Sequence, residues 1–365
     1  MTVRYLILWP TAACDLSCPY CYRRDRRGGR MSSDIADAAI DLLAEGVRTT
    51  GQPAHVQLAG GEPTLVPSLI EHVADRVAGI RGGRVTCGIQ TNAARLDDDM
   101  ATMFKRRGVR VGVSVDGPPS VQQKARGSAA QTFRGLLALV RAGVPVRVTT
   151  VLSAFNVEHL GDLALTLGGL PNVTGFGIDP LVSLGSAAGR ADLVPTDDAV
   201  VTGIRALYRR LAQVNAIRAK PLVWRELETV RAALRRSCAS VTTVDPSGRT
   251  LLPLSVPNRP YCHAAVGESM AVAPDGSVYP CSQSVGDPAS RAGTVHHVDW
   301  HRLKERFSQD VHTLKGPCRH CTLAGRCPGD CPSRVEANNL ADPERSRTPL
   351  TCLINDTLAR LETAS

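Results

Sequence analysis

The first 180 residues alternate short apolar runs with longer stretches in which apolar residues recur every three or four positions. The runs at 4–9, 55–59, 84–90, 110–115, 146–152 and 175–181 are rich in β-branched residues and predict strands. Between them, 33–49, 67–80, 97–107, 131–142 and 157–167 carry helical periodicity. Ser33 fits an N-cap and Pro67 a first helical turn. Strand–helix repeats of this length imply an α/β fold with a parallel sheet and right-handed crossovers. A partial (βα)6 barrel and an open doubly wound sheet both satisfy the pattern. In either, chemistry collects at the carboxyl ends of the strands.

Helical period continues over 197–236, with a break near Pro221. From Cys238 onward the alternation stops, turns dominate, and eight of the twelve cysteines appear. These shifts divide the chain into 1–235 and 236–365.

The 365 residues suit about two domains, and 43% apolar content supplies a real core. No apolar stretch approaches the roughly 20 residues of a membrane span, and no secretory segment is evident. The expected setting is a reducing cytoplasm, away from membranes, where cysteines serve metal sites more than disulfides. Aromatics make up only 4%, which argues against a nucleic-acid partner bound by stacking. The formal charge of +9 is spread out, with one cluster at Arg23, Arg24, Arg26 and Arg27 and a pair at Arg235 and Arg236. It gives mild support for an acidic partner.

Candidate chemistry begins at Cys14, Cys18 and Cys21, spaced C-x3-C-x2-C. A cubane [4Fe–4S] cluster normally takes one thiolate per iron, so three thiolates leave one iron open. Two alternatives compete. Cys18-Pro19-Tyr20-Cys21 is also a glutaredoxin-type dithiol string, which leaves Cys14 unexplained. A lipoprotein or signal peptide needs a longer apolar segment than the residues before Cys14 provide. Further along, Gly60-Gly61-Glu62-Pro63 follows the second predicted strand. Paired glycines let backbone approach a ligand, and a carboxylate accepts hydrogen bonds from an ammonium group.

Together these motifs resemble the radical S-adenosylmethionine (SAM) superfamily over roughly residues 4–180. The resemblance implies a partial (βα)6 TIM-type barrel. It further implies that Cys14, Cys18 and Cys21 hold a [4Fe–4S] cluster and that Gly60, Gly61, Glu62 and Pro63 hold the methionyl amine of SAM. Asn92 and the Ser114–Asp116 strand end resemble segments that contact ribose and methionine. Arg126 falls where relatives place an arginine near the SAM carboxylate, although the His-Asp pair usual before it is Gln122-Gln123 here. Tyr20 resembles an aromatic near the adenine, with an ordinary core tyrosine as the alternative. The implied chemistry is reductive cleavage of SAM to a 5′-deoxyadenosyl radical that removes a hydrogen atom from a C–H bond, fed by a flavodoxin or ferredoxin.

The later cysteines match the SPASM extension of that superfamily: Cys262, Gly276 and Cys281, then Cys318-x2-Cys321-x5-Cys327-x3-Cys331, then Cys352. Zinc is the alternative occupant of such C-x2-C pairs. The resemblance implies a cysteine-rich domain with two auxiliary [4Fe–4S] clusters, three in all. Cys318, Cys321, Cys327 and Cys352 would hold the outer one and Cys262, Cys281 and Cys331 the inner one, with Cys238 as a possible fourth ligand. Cys87 reads as core, and Asp179 as an ordinary loop carboxylate.

SPASM relatives mostly modify peptides or proteins. The leading expectation is C–C or C–S crosslinking in a ribosomally made precursor peptide. A sulfatase maturase forming formylglycine is an alternative. Against it, Ala59 stands where those enzymes have Gln, and Ser282 where they carry an Asp base. Epimerisation and an inactive Fe–S or zinc scaffold complete the set. With Cys14 so near the start, a separate precursor-recognition domain is not expected at the amino end. Capture would then use the barrel mouth, residues 182–237 or a partner protein.

Overall fold

The computed structural model describes residues 2–23, 29–235, 261–308, 321–324, 326–327, 329–339 and 348–364, with backbone alone at 243–244, 250–251 and 313–314. Cys238 and Cys318 lie outside the described residues.

The predicted repeats form β1 (Tyr5–Leu8), α1 (Ser33–Thr50), β2 (Ala54–Leu58), α2 (Pro67–Ala78), β3 (Val85–Thr91), α3 (Asp98–Arg107) and β4 (Arg110–Ser114). They continue through α4 (Pro119–Ala125), α5 (Ala129–Arg141), β5 (Val146–Leu152), α6 (Leu160–Gly168) and β6 (Val173–Pro180). The N-cap of α1 is Ser32 and not Ser33: its hydroxyl accepts from the Ile35 amide at 3.3 Å, and Ser33 already has helical backbone. Asp97 caps α3, acids fill that helix's first turn and bases its last, and Gly108 closes it in the left-handed region.

The break near Pro221 separates α7 (Asp197–Ile217) from α8 (Arg225–Arg235) and holds a two-residue strand, β7 (Val223–Trp224), too short for periodicity to reveal. Backbone strands β8 (Thr243–Val244) and β9 (Thr250–Leu251) follow, then β10 (Ser269–Val272), β11 (Val278–Tyr279), the short pairs β12 (Gly293–Thr294) and β13 (His297–Val298), α9 (Trp300–Glu305), β14 (Thr313–Leu314), α10 (Pro332–Ala337) and α11 (Leu350–Thr363).

The main sheet runs β11-β10-β1-β2-β3-β4-β5-β6-β7. This order decides between the two topologies the pattern allowed. A doubly wound sheet reverses its strand order at a switch point, whereas β1 to β7 follow one another without reversal and all pair in parallel. Right-handed crossovers then keep the helices on one side, and the sheet curls into an open barrel. Past residue 235 the sheet continues, because β10 pairs in parallel with β1 and β11 turns back antiparallel. No helix of the described residues is long and apolar enough to cross a membrane.

The core lies between sheet and helices, built on fully buried residues such as Leu6, Leu58, Ile89, Leu136 and Phe176. The inward face differs: register places Gln57, Gly88 and Arg110 side by side, then Gln90, Gly112 and Arg147. Barrel interiors usually fill with branched apolar residues. Here a Cβ on Gly112 would lie 2.3 Å from the Gln90 side-chain oxygen, so glycine makes room for polar side chains.

The carboxyl-terminal helix returns to the barrel. Glu362 on α11 accepts from Tyr208 on α7 at 2.8 Å and pairs with Arg231 on α8 at 2.7 Å. Arg231 holds the Glu362 carboxyl below its ordinary 4.5. A depressed carboxyl contributes stability that is full above the unfolded value and is lost as pH falls through the folded one. Glu362→Gln is therefore expected to unfold at lower urea than wild type at pH 7, with the gap closing toward pH 3. A gap that does not change with pH would show that the charge contributes nothing.

Candidate active site

A cavity of about 550 Å3 opens at the carboxyl ends of the strands. It collects residues far apart in sequence. Cys14, Cys18 and Cys21 line it together with Cys262, Cys281 and Cys331, and Glu62 lines it too.

The cysteine loop leaves β1 and is stitched to the Gly-Gly-Glu turn by two amides, Gly61 to Thr11 O at 3.0 Å and Glu62 to Ala13 O at 2.8 Å. This is the main structural reason for the two glycines. A Cβ on Gly61 would lie 1.9 Å from the Ala13 carbonyl oxygen, and one on Gly60, whose φ is +106°, would lie 2.7 Å from the Trp9 ring. Both glycines also line the cavity.

Glu62 is 1% exposed. Its carboxylate accepts from the Thr64 amide at 3.1 Å, the Thr64 hydroxyl at 2.7 Å, the Thr91 hydroxyl at 2.6 Å and the Asn92 amide at 2.7 Å. Burial pushes its pKa up, and these donors oppose the shift. Among the described residues no cationic side chain pairs with it. A buried carboxylate at a cavity wall without a cation fits a ligand ammonium group.

Asn92 donates to Asp15 at 2.8 Å and toward the Cys14 sulfur at 3.9 Å. Ser114 lines the cavity and accepts from Gln90 at 3.0 Å. Two of the expected cofactor contacts, Pro63 and Asp116, are buried and are not among the residues that line the cavity. Asp116 is fully buried and accepts from Arg126 Nε at 2.9 Å, from the Val151 amide at 2.9 Å and from the Tyr20 hydroxyl. The Arg126 guanidinium lies 5.4 Å from the Tyr20 ring centroid. Asp116 thus anchors Tyr20 and Arg126, and those two reach the cavity.

The thiols fit a cluster. Leu16 N–H donates to the Cys14 sulfur at 3.5 Å and Arg23 Nε to the Cys21 sulfur at 3.3 Å, the outer-shell bonds that tune metal thiolates. Burial pushes the Cys14 thiol up to about 11 and the Cys331 thiol to about 12, so thiolates here call for a positive centre in the cavity. Among the described residues no three His, Cys, Asp or Glu groups converge tightly enough for a single ion. Farther out, Cys327 accepts from the Gly329 amide at 3.4 Å and from Asn355 at 3.7 Å, and Cys321 from the Leu323 amide at 3.4 Å. Cys352 lies on α11. Cys87 is buried in the core.

Arg23 corrects the sequence reading. It is 5% exposed and turned into the cysteine loop. A run of arginines carries no sign of which one is buried. Ser282, which stands where sulfatase maturases carry an Asp, has a hydroxyl that accepts from Trp9 Nε1 at 3.0 Å and bonds Tyr22 at 2.9 Å. Asp179 lines the cavity, paired with Arg225 at 2.6 Å.

An open parallel barrel with a three-cysteine loop at its carboxyl face, beside a buried acid, defines the radical SAM class. Residues 10–167 match the Radical SAM superfamily, so this part of the chain is a radical SAM domain, and the chain is an enzyme. Such a domain binds SAM and a [4Fe–4S] cluster. An uncharacterized protein of Methanocaldococcus jannaschii is 29% identical over 164 residues, covering 43% of this chain and 56% of that protein. A PqqA peptide cyclase of Methylorubrum extorquens is 26% identical over 386 residues, 97% of this chain and 87% of its own. The structure of anSMEcpe with bound AdoMet and Cp18Cys peptide superposes with a TM-score of 0.76 at 17% identity, over 99% of this chain and 96% of that one.

Proposed function

We propose that this chain is a peptide maturase that forms a C–C or C–S crosslink in a ribosomally made precursor. The observation that carries the reading is that the two cysteine sets, Cys14, Cys18, Cys21 and Cys262, Cys281, Cys331, line one cavity with Glu62. A site that starts a radical and a site that could take up the residual electron would then face one substrate. The full-length similarity to a PqqA peptide cyclase favours a peptide as that substrate.

When bound, the cluster and SAM supply a 5′-deoxyadenosyl radical that removes a substrate hydrogen atom. The chain's own residues position and shield. Glu62, fixed by four donors, orients the methionyl amine. Tyr20 and Arg126, held by Asp116, line the same cavity and would help to shield it. Arg23 and the Leu16 amide steady the thiolates of Cys21 and Cys14. Cys262, Cys281 and Cys331 would hold the inner auxiliary cluster, and Cys318, Cys321, Cys327 and Cys352 the outer one. Electrons would come from a flavodoxin or ferredoxin, and a separate recognition protein could present the precursor.

Formylglycine formation is disfavoured by the residue after Cys281. Ser282 cannot serve as a carboxylate base, and its hydroxyl is engaged by Trp9 and Tyr22.

The test is iron and sulfide analysis of the reconstituted protein, followed by mass spectrometry of a co-expressed candidate peptide. About twelve irons per chain and a loss of two hydrogens are expected. About four irons would remove the auxiliary clusters from the proposal. Unchanged mass with inverted stereochemistry would replace crosslinking by epimerisation.

A further inference from the structure

A second cavity, of about 160 Å3, is lined by Arg4, Arg84, Arg110, His55 and His263. Its place follows from the strands. Arg4 and Arg84 directly precede β1 and β3, Arg110 opens β4, and His55 lies near the start of β2. The cavity therefore sits at the amino ends of the parallel strands, the end of the barrel away from the cysteine loop.

The charges around it do not cancel. Glu268 is the acid nearby, 3.5 Å from Arg4 and 3.2 Å from His263. Among the described residues, Arg84 and Arg110 have no side-chain hydrogen-bond or ion-pair partner, and both are exposed. Some arginines elsewhere on the barrel do meet acids: Arg76 pairs with Asp37 and Asp41, Arg107 with Asp75, and Arg141 with Asp98. Three guanidiniums facing a concavity with one carboxylate leave a focused positive field.

The walls are set in place. His55 Nδ1 bonds Thr86 at 2.8 Å, its Nε2 bonds Gln57 at 3.1 Å, and its ring centroid lies 5.3 Å from that of Tyr5. Tyr5 in turn stacks on His263 at 5.6 Å and 10°. The histidines are thus held in place, and Arg84 and Arg110 are left to act as donors.

We propose that this cavity is an oxyanion site that takes one phosphate group or one carboxylate. Guanidinium forks match both bidentately. The volume holds either group with a few waters, each occupying about 30 Å3. The same chemistry has two sources, a free phosphate or a side-chain carboxylate of an acidic peptide.

Equilibrium dialysis of the reconstituted full-length protein tests the site, with radiolabelled inorganic phosphate and with labelled hexaglutamate as probes. Saturable binding of at least one probe is expected, weakened about tenfold or more by Arg84→Ala and by Arg110→Ala. Both residues are exposed, and unchanged far-UV circular dichroism is expected to accompany the loss. Arg209→Ala, an exposed change on α7, should leave binding as in wild type. Arginine-dependent binding of phosphate without displacement by hexaglutamate assigns a free oxyanion. Arginine-dependent binding of hexaglutamate assigns a peptide carboxylate. If neither probe saturates, the proposal is overturned. Equal binding by wild type and the Arg84→Ala/Arg110→Ala double variant overturns it too, as does an equal loss in Arg209→Ala.

Discussion

Cys14→Ala and Cys18→Ala are each expected to abolish reductive SAM cleavage, leaving 5′-deoxyadenosine at the level of an enzyme-free control under dithionite. The argument is one of ligand count. A four-iron cluster held by three thiolates cannot lose one and keep a single open iron. No spare thiol stands in: among the described cysteines that line the cavity, the others are Cys21, which already belongs to the loop, and Cys262, Cys281 and Cys331, which lie on segments after β9. The alanine variants are expected to fold. Cys14 and Cys18 are only partly buried, and the loop is held by backbone bonds from Gly61 and Glu62 that do not involve the thiols. Circular dichroism should thus match wild type while the amino-terminal cluster's signal is missing. Wild-type rates of 5′-deoxyadenosine formation in a reconstituted Cys14→Ala protein would make the central assignment wrong.

Asp116→Ala is expected to be the most destabilising single change in the barrel, by about 3–5 kcal/mol in urea unfolding. Asp116 has no exposed surface and satisfies Arg126, Tyr20 and the Val151 amide at once. Its removal leaves a guanidinium whose side chain is 10% exposed without a counter-charge, and an uncompensated buried charge costs far more than a surface pair contributes. Arg126 and Tyr20 also border the cavity, so SAM affinity should fall with stability. Asp116→Leu combined with Arg126→Met separates the two effects. The apolar pair should recover the part due to the unpaired charge, while the Tyr20 hydroxyl and Val151 amide still lack an acceptor, and it should not recover SAM binding. A loss below about 1 kcal/mol for Asp116→Ala would mean that water reaches Arg126 and that the ion pair is not the anchor of this wall.

The strand and helix pattern of the first half was legible because these elements repeat an apolar period long enough to count. Val146–Leu152 was readable to its ends for that reason, whereas β7, with two residues, offers no period. The cysteine motifs were legible because cysteine spacing is itself a local property. The roles of neighbouring residues were not. Gly60 and Gly61 look like a ligand cradle in sequence, yet their lack of side chains first serves the Ala13 carbonyl and the Trp9 ring. Arg23 looks like one of several surface bases, yet it alone of that run is described, and it is buried against Cys21. Asp116 looks like a ligand contact at a strand end, yet it pairs with Arg126 and is not among the residues that line the cavity.

The sequence by itself pointed to a class of chemistry: the spacing of Cys14, Cys18 and Cys21, the Gly60-Gly61-Glu62 turn, and later cysteines in fixed order. These follow from residue type and spacing, which act over a few bonds. The tertiary structure alone decided that the sheet is an open barrel and not a doubly wound one. It also decided that Cys262, Cys281 and Cys331 share a cavity with Cys14, Cys18 and Cys21, and that three arginines meet at the opposite end. Those outcomes depend on strand order and on the pairing of β10 with β1. They are set by contacts between segments hundreds of residues apart, which no local period or spacing encodes.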